Sequence, residues 1–488
     1  MGDNLLVIDE GTTSTRSMLF ARDGICLGIA QKALTNLFPA PGWVEQDAEE
    51  IWALSRECAR EMVAKSKGSI AAIGITNQRE TVVFWSRSSG RALAPAIVWQ
   101  DRRTSEMCAK LRAEGHEPAL QAKTGLLLDP YFSATKIAWA LTNWPQLREA
   151  GDDLCIGTIE SWLVFRLTGG LHISDATNAS RTALMDIGQG RWDDALLDLF
   201  GVPKGALPEI VDCAGEFGDC LPEHFGDPLP ICGLAGDQQS AAIGQACFAP
   251  GNTKATFGTG AFVLTHSGDV QPVSCQRLLT TIAWQLGGQR HYALEGSLFV
   301  AGSALQWLRD ALGLFAASAD CEALARAVPD SAGVQFVPAF AGLGAPHWRP
   351  DARGAVLGLT LGSTRAHIVR AALEGVANQT EELRRAFAAD GVDWSHLRID
   401  GAMAANDFLA QDLADLLDMQ VERPANVETT ALGAAMLAGL GCGMFSSLEE
   451  AAAARGELTK FSPAMDEPIR SQRIVRWDRA TQAVLSID

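Results

Sequence analysis

Two glycine- and threonine-rich turns, one in each half of the chain, constrain the fold more than any other feature of the sequence. The first, GTT, lies between strand-like segments at residues 5–9 and 17–21. The second, GTG, closes the segment at residues 252–259 and leads into residues 261–265. Short apolar runs around a tight turn predict β-hairpins. Two hairpins of the same type indicate a duplicated architecture.

The remaining segments alternate between helix and strand patterns. Residues 47–65 carry apolar side chains at helical spacing, and residues 70–76 have the pattern of a buried strand. Residues 397–400 predict another strand, and the small side chains at residues 429–440 predict a tightly packed helix. This alternation favours α/β layering. A chain of 488 residues is too long for one core, so we expect two large domains that meet near the FAPG sequence at residues 248–251.

Charge and cysteine content limit the possible partners. The formal net charge of −18 argues against nucleic acid or an anionic membrane, because both need a basic face. The 11 cysteines show neither a CxxC pair nor zinc-ligand spacing, which is typical of reduced thiols. The apolar run near the N-terminus covers only residues 5–8, too few for a signal peptide or a membrane span. We therefore expect a cytoplasmic protein that binds no nucleic acid and does not insert into a membrane.

Common nucleotide-binding motifs are missing from the sequence. It contains no GxxxxGK followed by Ser or Thr, no GxGxxG after a strand, no HExxH and no EF-hand loop. A bound nucleotide would need the two hairpin tips, whose backbone N–H groups and hydroxyls can hold phosphates. Asp9, at the end of the first strand, could hold Mg²⁺ directly or through water. The alternative is that both tips are ordinary β-turns, in which Asp, Gly and Thr are common.

Charged residues at two other strand ends also have two interpretations each. Asp237 follows the apolar run at residues 229–234, where it could accept a proton from a substrate hydroxyl or simply cap a helix. Arg79 and Glu80 follow the strand at residues 70–76. They could bind vicinal hydroxyls as donor and acceptor, or form a solvated surface ion pair.

Two aromatic residues could complete a site for a short carbon chain. Trp99 and Phe262 offer flat apolar faces that suit such a ligand. Simple packing in the core is the alternative for each of them.

Taken together, these residues belong to a set of motifs that resembles the glycerol kinase branch of the FGGY carbohydrate kinases, in the actin/hexokinase superfamily. The motifs extend over almost the whole chain and keep one order, which makes them far more specific than any one alone. They are DEGTTSTR (9–16), PGWVE (41–45), GITNQRE (74–80), IVWQDRR (97–103), DPYFS (129–133), TNASRT (177–182), AGDQQ (235–239), FGTGAF (257–262), YALEG (292–296), QWLRD (306–310), PAFAGLGAP (338–346) and ALG (431–433).

The resemblance implies an α/β fold with two ribonuclease-H-like, actin-like ATPase domains, each a mixed sheet flanked by helices. Residues 1–247 would form the N-terminal domain, which binds the polyol and carries the catalytic base. Residues 248–488 would form the C-terminal, nucleotide-binding domain. The active site would lie in the cleft between them.

The resemblance also implies roles for single residues. Those matching the polyol side of the family site are Arg79, Glu80, Tyr131, Asp237 and Gln238 for the hydroxyls, Trp99 and Phe262 for an apolar wall, and Asp237 again as catalytic base. Those matching the nucleotide side are Thr12, Thr13 and Ser14 in the first phosphate loop, Arg16 near the transferred phosphate, Thr259 in the second loop, and Gly302, Gln306, Ala402 and Asn406 beyond it. Asp9 matches the residue that positions Mg²⁺.

The sequence departs from the family pattern in three places. Glu10 stands where many members carry Gln, which adds a negative charge beside the Mg²⁺ site. Ala402 replaces the second glycine of an Asp-Gly-Gly stretch near adenine, where a methyl group could crowd the base. Residues 217–231 lack the Gly-rich, Arg-containing loop with which some bacterial members bind a sugar bisphosphate, so we expect no such regulation. We expect His224 in this segment to be a surface residue.

The activity implied is in-line transfer of the γ-phosphoryl group of MgATP to glycerol, giving ADP and sn-glycerol 3-phosphate. One alternative is a kinase for another polyol or ketose, such as erythritol or xylulose. Another is a non-enzymatic actin-like ATPase, which would need neither the Arg79–Glu80 pair nor Asp237. The resemblance also suggests a homo-oligomer, a dimer or a tetramer.

Overall fold

The structure is a computed structural model that describes residues 3–426 and 428–487. Its strands are β1 Asn4–Glu10, β2 Ser14–Ala21, β3 Cys26–Ala33, β4 Glu45–Gln46, β5 Ile70–Asn77, β6 Val83–Ser86, β7 Ala96–Ile97, β8 Leu154–Gly157, β9 Ile173–Asp175, β10 Met185–Asp186, β11 Arg191–Trp192, β12 Glu209–Val211, β13 Ile231–Gly236, β14 Asn252–Phe257, β15 Ala261–Gly268, β16 Leu279–Leu286, β17 Gln289–Leu298, β18 Gln335–Val337, β19 Ala355–Leu357, β20 His396–Asp400, β21 Val421–Pro424 and β22 Leu458–Phe461.

The helices lie between and around these strands. They are α1 Ala48–Lys65, α2 Ser105–Ala113, α3 Glu117–Thr124, α4 Ser133–Asn143, α5 Pro145–Glu149, α6 Ile159–Thr168, α7 Ala176–Ala179, α8 Asp194–Phe200, α9 Pro222–Phe225, α10 Asp237–Gly244, α11 Gly302–Asp310, α12 Asp320–Arg326, α13 Arg365–Ala389, α14 Asp407–Leu417, α15 Thr429–Gly441, α16 Leu448–Ala451 and α17 Glu467–Leu485. Short 3₁₀ turns occupy Gly151–Asp153, Lys204–Ala206, Ala402–Ala405 and Ala452–Arg455.

The first large sheet has the strand order β13-β5-β1-β2-β3. Strands β1, β2 and β3 form an antiparallel meander, whereas β5 is parallel to both β1 and β13. Asp9 is opposite Thr76 of β5, and Asn77 is opposite Gly236 of β13. Because parallel strands end at one edge of a sheet, Asp9 and the residues that follow β5 and β13 meet there.

The second large sheet repeats this plan, with the order β16-β17-β15-β14-β20-β21-β22. Its central strand β14 pairs antiparallel with β15 and parallel with β20, so that Thr256 is opposite Asp400. Both hairpins inferred from the sequence are therefore present. The expected fold class, two mixed sheets flanked by helices, is confirmed.

Helices cover the sheets and also cross between the two halves of the chain. Helix α1 begins at its N-cap Asp47, which accepts the Glu49 N–H at 2.9 Å, and it buries one apolar face on the first sheet. Helix α15 belongs to the second half of the sequence, yet it packs against β1, β5 and β13. It also crosses α10 closely, since a Cβ on Gly433 would lie 1.8 Å from the Ser240 carbonyl oxygen. The expected boundary at residue 247 stays a prediction, and α15 ties the second half to the first sheet.

Within the described part of the chain, no helix combines the length and the apolar character that crossing a membrane requires.

Candidate active site

The first hairpin tip is an open turn with free backbone donors. Its ends are held by the Gly11 N–H, which donates to the Ser14 carbonyl at 3.0 Å. Gln46 Nε2 donates to the Thr12 carbonyl at 2.7 Å from outside the turn. Among the described residues, the N–H groups of Thr12 and Thr13 meet no acceptor. Strand β2 begins at Ser14 rather than Ser17, so the tip is shorter than the sequence suggested.

The second hairpin tip is fixed from behind by the start of α11. The N–H groups of Ala301 and Ser303 both donate to the Thr259 carbonyl, at 2.9 and 3.1 Å. The Gly302 N–H donates to the Gly258 carbonyl at 2.9 Å, and a Cβ on Gly302 would lie only 2.5 Å from that oxygen. Glycine at position 302 therefore permits the close approach of helix and tip.

Arg79 is fully buried, and each of its N–H groups faces an acceptor within the protein. Its two terminal nitrogens donate hydrogen bonds to the Glu295 carboxylate at 2.5 and 3.1 Å. Three longer contacts use the remaining donors: Nε lies 3.2 Å from Asp237 Oδ1, Nη1 lies 3.3 Å from Gln239 Oε1, and Nη2 lies 3.4 Å from the Tyr131 hydroxyl. The long contacts are the weak ones, so these donors are the ones a ligand hydroxyl could take over.

Glu80 is also buried and pairs with Arg181 rather than with its neighbour Arg79. Arg181 Nε donates to Glu80 Oε1 at 2.6 Å, and Arg181 Nη2 donates to Glu295 Oε1 at 2.9 Å. Glu80 has a left-handed backbone with φ of 62°, a conformation that costs about 1 kcal/mol or more and is frequent at functional sites. The surface ion-pair interpretation of Arg79 and Glu80 is wrong, because both side chains lie inside the protein.

These contacts make a continuous chain of alternating charges. Its members, in spatial order, are Glu80, Arg181, Glu295, Arg79 and Asp237. Burial alone would raise the pKa of Glu295, but the guanidiniums of Arg181 and Arg79 outweigh it and hold that pKa at about 2. We call this set the charge chain.

The sequence did not identify two members of the charge chain as site residues. Arg181 and Glu295 lie inside the TNASRT and YALEG motifs, but the sequence alone predicts a role for neither. Glu295 comes from β17 of the second sheet, so its partners are distant in sequence. A carboxylate directly after the apolar Ala293 and Leu294, in the buried part of a strand, was the available signal.

Asp237 opens α10 and turns its carboxylate toward the cleft. Its side chain is 31% exposed, and its Oδ1 accepts the Gln238 N–H at 2.7 Å. Burial raises the pKa of Asp237, whereas Arg79 and Lys254 act in the opposite sense. The N-cap of α10 is Gly236, so Asp237 is not the cap. A raised pKa suits a carboxylate that accepts a proton.

Three half-buried aromatic rings stand beside the charge chain. The ring centroids of Trp99 and Tyr131 are 5.5 Å apart, and those of Trp99 and Phe262 are 6.2 Å apart. Trp99 Nε1 donates to Thr12 Oγ1 at 2.9 Å, which ties this wall to the first tip. Phe262 lies on β15 and Trp99 belongs to the first half of the chain. The site therefore lies between the two sheets, and neither Trp99 nor Phe262 belongs to the buried core.

Asp9 offers a buried carboxylate at the end of β1. Its Oδ2 accepts a bond from Arg16, whose other nitrogen lies 2.6 Å from Glu428, and its Oδ1 has no partner among the described residues. Burial raises the pKa of Asp9, Arg16 lowers it, and the nearby Asp237 carboxylate raises it further. Mg²⁺ needs only one or two protein carboxylates when phosphate oxygens complete its shell. The free oxygen of Asp9 fits such a role.

Glu10 follows Asp9 at the end of β1. The side chain is buried, one oxygen accepts Ser55 Oγ at 2.6 Å, and the other has no hydrogen-bond partner. Burial raises the pKa of Glu10 to about 8. A raised pKa favours the neutral carboxyl near neutral pH. The expected negative charge beside the Mg²⁺ site stays a prediction.

The outer nucleotide-side residues lie next to the second tip. Gln306 and Ala402 are exposed, and Asn406 caps α14 by accepting the Leu409 N–H at 3.0 Å. Met403 stands between Ala402 and Asn406, with its side chain 3.3 Å from the Cβ position of Gly302. These residues share one side of the cleft, and their contact with adenine stays a prediction.

His224 is not a surface residue. It is 5% exposed, its Nε2 donates to the Arg166 carbonyl at 3.1 Å, and its ring meets Trp52 at 5.1 Å. The segment that carries it packs on α1, because Arg60 donates to the His224 carbonyl at 2.6 Å. The sequence of residues 217–231 gave no local sign of this packing.

Comparison with known proteins gives one consistent result. Residues 4–244 match the model of the N-terminal domain of the FGGY family of carbohydrate kinases, and residues 253–442 match that of its C-terminal domain. Proteins curated as glycerol kinases are similar throughout: that of Xanthobacter autotrophicus is 52% identical, with 100% of each chain covered. That of Gluconobacter oxydans is also 52% identical, covering 99% of this chain and 96% of the relative.

Solved structures agree with this comparison. A glycerol kinase from Plasmodium falciparum, crystallised with ADP, superimposes with a TM-score of 0.95 at 37% identity and covers 99% of both chains. A gluconate kinase from Lactobacillus acidophilus superimposes with a TM-score of 0.90 at 22% identity, covering 100% of this chain and 99% of the other. At that identity the second likeness concerns the fold alone.

Proposed function

This chain belongs to the FGGY family of carbohydrate kinases, and on that premise we propose that it transfers the γ-phosphoryl group of ATP to a terminal hydroxyl of glycerol. The products are ADP and sn-glycerol 3-phosphate. The observation that carries the proposal is the convergence of Asp237 and the charge chain beside a wall of aromatic rings. A non-enzymatic ATPase needs no such arrangement.

The polyol position is supported by polar atoms left without a protein partner. Glu80 Oε1 is held by Arg181, while Glu80 Oε2 has no partner among the described residues and can accept a hydroxyl proton. Arg79 can exchange its long contacts, such as the 3.4 Å one to Tyr131, for hydroxyl oxygens. Trp99 and Phe262 would face the carbon chain. Donor and acceptor together would fix which terminal hydroxyl approaches the phosphate.

Asp237 would align the attacking hydroxyl and accept its proton. Phosphoryl transfer passes through a loose transition state, so the proton leaves late and positioning dominates. The carboxylate is anchored at 2.7 Å from its own helix and lies 3.2 Å from Arg79, which fixes its direction. One oxygen thus serves as anchor, and the other can meet the substrate.

The two tips would hold the triphosphate. Free N–H groups at Thr12 and Thr13 provide donors that need no side-chain movement. The hydroxyls of Thr12, Thr13, Ser14 and Thr259 are further donors. Mg²⁺, when bound near Asp9, neutralises charge on the phosphates. Arg16 would have to leave Asp9 and Glu428 to reach the transferred group.

A coupled ADP-release assay across a polyol panel tests the activity. Glycerol, erythritol and xylulose are offered separately with MgATP, and a mixture without acceptor measures background hydrolysis. We expect glycerol to give the largest stimulation. Stimulation only by another acceptor would replace glycerol as the substrate, and indifference to every acceptor would refute the kinase assignment.

Two properties of the whole protein are part of the same proposal. All eleven cysteines are free, which supports a reducing compartment and hence a cytoplasmic location. The expected dimer or tetramer stays a prediction, and light scattering of the purified protein measures it directly.

A further inference from the structure

A fully buried lysine lies at the floor of the site, and neither the sequence analysis nor the mechanism above gives it a role. Lys254 is on β14, the strand that leads into the second tip, and its side chain has no solvent exposure. Lysine is rarely buried to this extent without a charged partner. Its position therefore calls for an explanation.

The contacts of Lys254 are with neutral groups. Its ammonium donates to Gln238 Oε1 and, at 2.7 Å, to Thr256 Oγ1. Within the described residues, no carboxylate lies close enough for an ion pair with it. The charged groups that influence it from further away are Asp400, Asp237, Arg79 and Glu295. Burying a cation without a direct counter-ion is costly, so stability alone does not account for it.

The bond to Gln238 fixes the orientation of that amide. An ammonium group can only donate, so the oxygen of the Gln238 amide has to face Lys254. The NH₂ group of the amide must then point the other way. Gln238 Nε2 has no acceptor among the described residues. It is also not among the buried polar atoms that are both enclosed and without a hydrogen-bond partner, so a ligand could reach it. Gln238 directly follows Asp237 at the start of α10, which leaves the free NH₂ group available to a ligand beside Asp237.

We propose that Lys254 is a positioning residue for the polyol: it holds the Gln238 amide so that its NH₂ group, and never its oxygen, meets a substrate hydroxyl. The inference rests on the proposed function, because it assigns Gln238 to the acceptor. Lys254 comes from the second sheet and Gln238 from α10. The Gln238 side chain, which would bind the polyol, is thus oriented by a residue from the half of the chain that carries the second hairpin tip.

Steady-state kinetics of Lys254→Met, Gln238→Ala and the double variant test this role. We expect Lys254→Met to raise the KM for glycerol about tenfold, the effect of one lost hydrogen bond to a buried polar group. The KM for ATP should stay within about twofold, because no phosphate contact is removed. The double variant should be no worse than Gln238→Ala. The matched control is Thr256→Val, which removes the other acceptor of Lys254 and should leave the KM for glycerol unchanged.

Other results would overturn the inference. If the wild type phosphorylates glycerol but Lys254→Met has the wild-type KM for it, Lys254 does not orient the acceptor. Lys254 would also have no orienting role if the increases in the KM for glycerol of the two single variants multiplied in the double variant, because the two residues would then act independently. If the wild type does not respond to glycerol, the proposed function fails, and this inference fails with it.

A second variant covers the case in which Lys254→Met does not fold. Gln238→Glu keeps an oxygen for Lys254 and replaces the NH₂ donor with a second carboxylate oxygen, whose negative charge can pair with the Lys254 ammonium. We expect a normal melting temperature with a KM for glycerol that is again raised about tenfold. An unchanged KM in this variant would show that the NH₂ group is not what the acceptor uses.

Discussion

The proposed polyol side and the proposed phosphate side of the cleft consist of different kinds of chemical group. On the polyol side, the working atoms belong to buried side chains of the charge chain, each held by at least one other member. On the phosphate side, they are backbone N–H groups of two tips whose side chains are partly exposed. Acceptor recognition should therefore depend on single side chains, whereas phosphate binding should depend on loop shape.

The largest difference should appear when Glu295, the fully buried carboxylate that both arginines of the charge chain share, loses its charge. Glu295→Gln leaves Arg79 and Arg181 side by side without their shared carboxylate, and removal of one partner from a buried pair costs about 3–5 kcal/mol. We expect the midpoint of urea unfolding to fall accordingly. Asp194→Asn, which breaks an exposed pair with Lys204, should leave the midpoint unchanged. Equal midpoints for the two variants would contradict this view of the polyol side.

Asp237→Asn tests the same side through chemistry instead of stability. Loss of a general base lowers kcat by at least about 10²-fold. The shape and the backbone contact of the side chain are kept, so the melting temperature and the affinity for ADP should stay near the wild-type values. Turnover close to the wild-type rate would exclude Asp237 as the base, and calorimetric titration with ADP shows whether the phosphate side is intact.

The sequence predicted the phosphate side better than the polyol side for a physical reason. A hairpin tip is a local structure, so the glycines and threonines of a few consecutive residues are enough to predict it. The helix at 48–65 and the small-residue helix α15 were predictable in the same way, from spacing along one segment. Family motifs supplied the residues that we propose as contacts of the acceptor.

What the sequence did not reveal are properties that arise from distant contacts. Arg181 and Glu295 meet although 114 positions separate them, and no local pattern encodes that pairing. The raised pKa of Glu10 depends on how completely other segments enclose its side chain. His224 looked like a surface residue because the helix that covers it, α1, lies far away in the sequence. In each case the missing information was burial.

Glu10 provides a pH-dependent test at the point where the two sides meet. Its pKa of about 8 in the folded protein is above the usual 4.5, so the folded state holds its proton more tightly than the unfolded chain. Tighter proton binding by Glu10 therefore stabilises the folded protein fully below pH 4.5, and this contribution is lost as the pH rises through 8. Glu10→Gln cannot ionise, so its stability relative to wild type should increase by up to about 1.4 kcal/mol per pH unit in that window.

Urea unfolding at several pH values between 5 and 8 measures this difference. The control is Glu61→Gln, since Glu61 is an exposed partner of Lys65 whose pKa lies below the usual range. Its difference from wild type should stay flat across the same interval. A flat difference for Glu10→Gln as well would mean that Glu10 is ionised in the folded protein.

The smallest effect should come from a side chain on the phosphate side. Thr259→Ala removes an exposed hydroxyl but leaves the carbonyl that anchors the tip to Ala301 and Ser303. We expect the KM for ATP to rise by no more than about fivefold, the value of one ordinary hydrogen bond. Gly302→Ala should raise it more, although it adds only a methyl group, because the new Cβ would lie 2.5 Å from the Gly258 carbonyl and displace the tip. If Thr259→Ala were the more harmful change, side chains rather than loop shape would govern phosphate binding, and the contrast between the two sides would disappear.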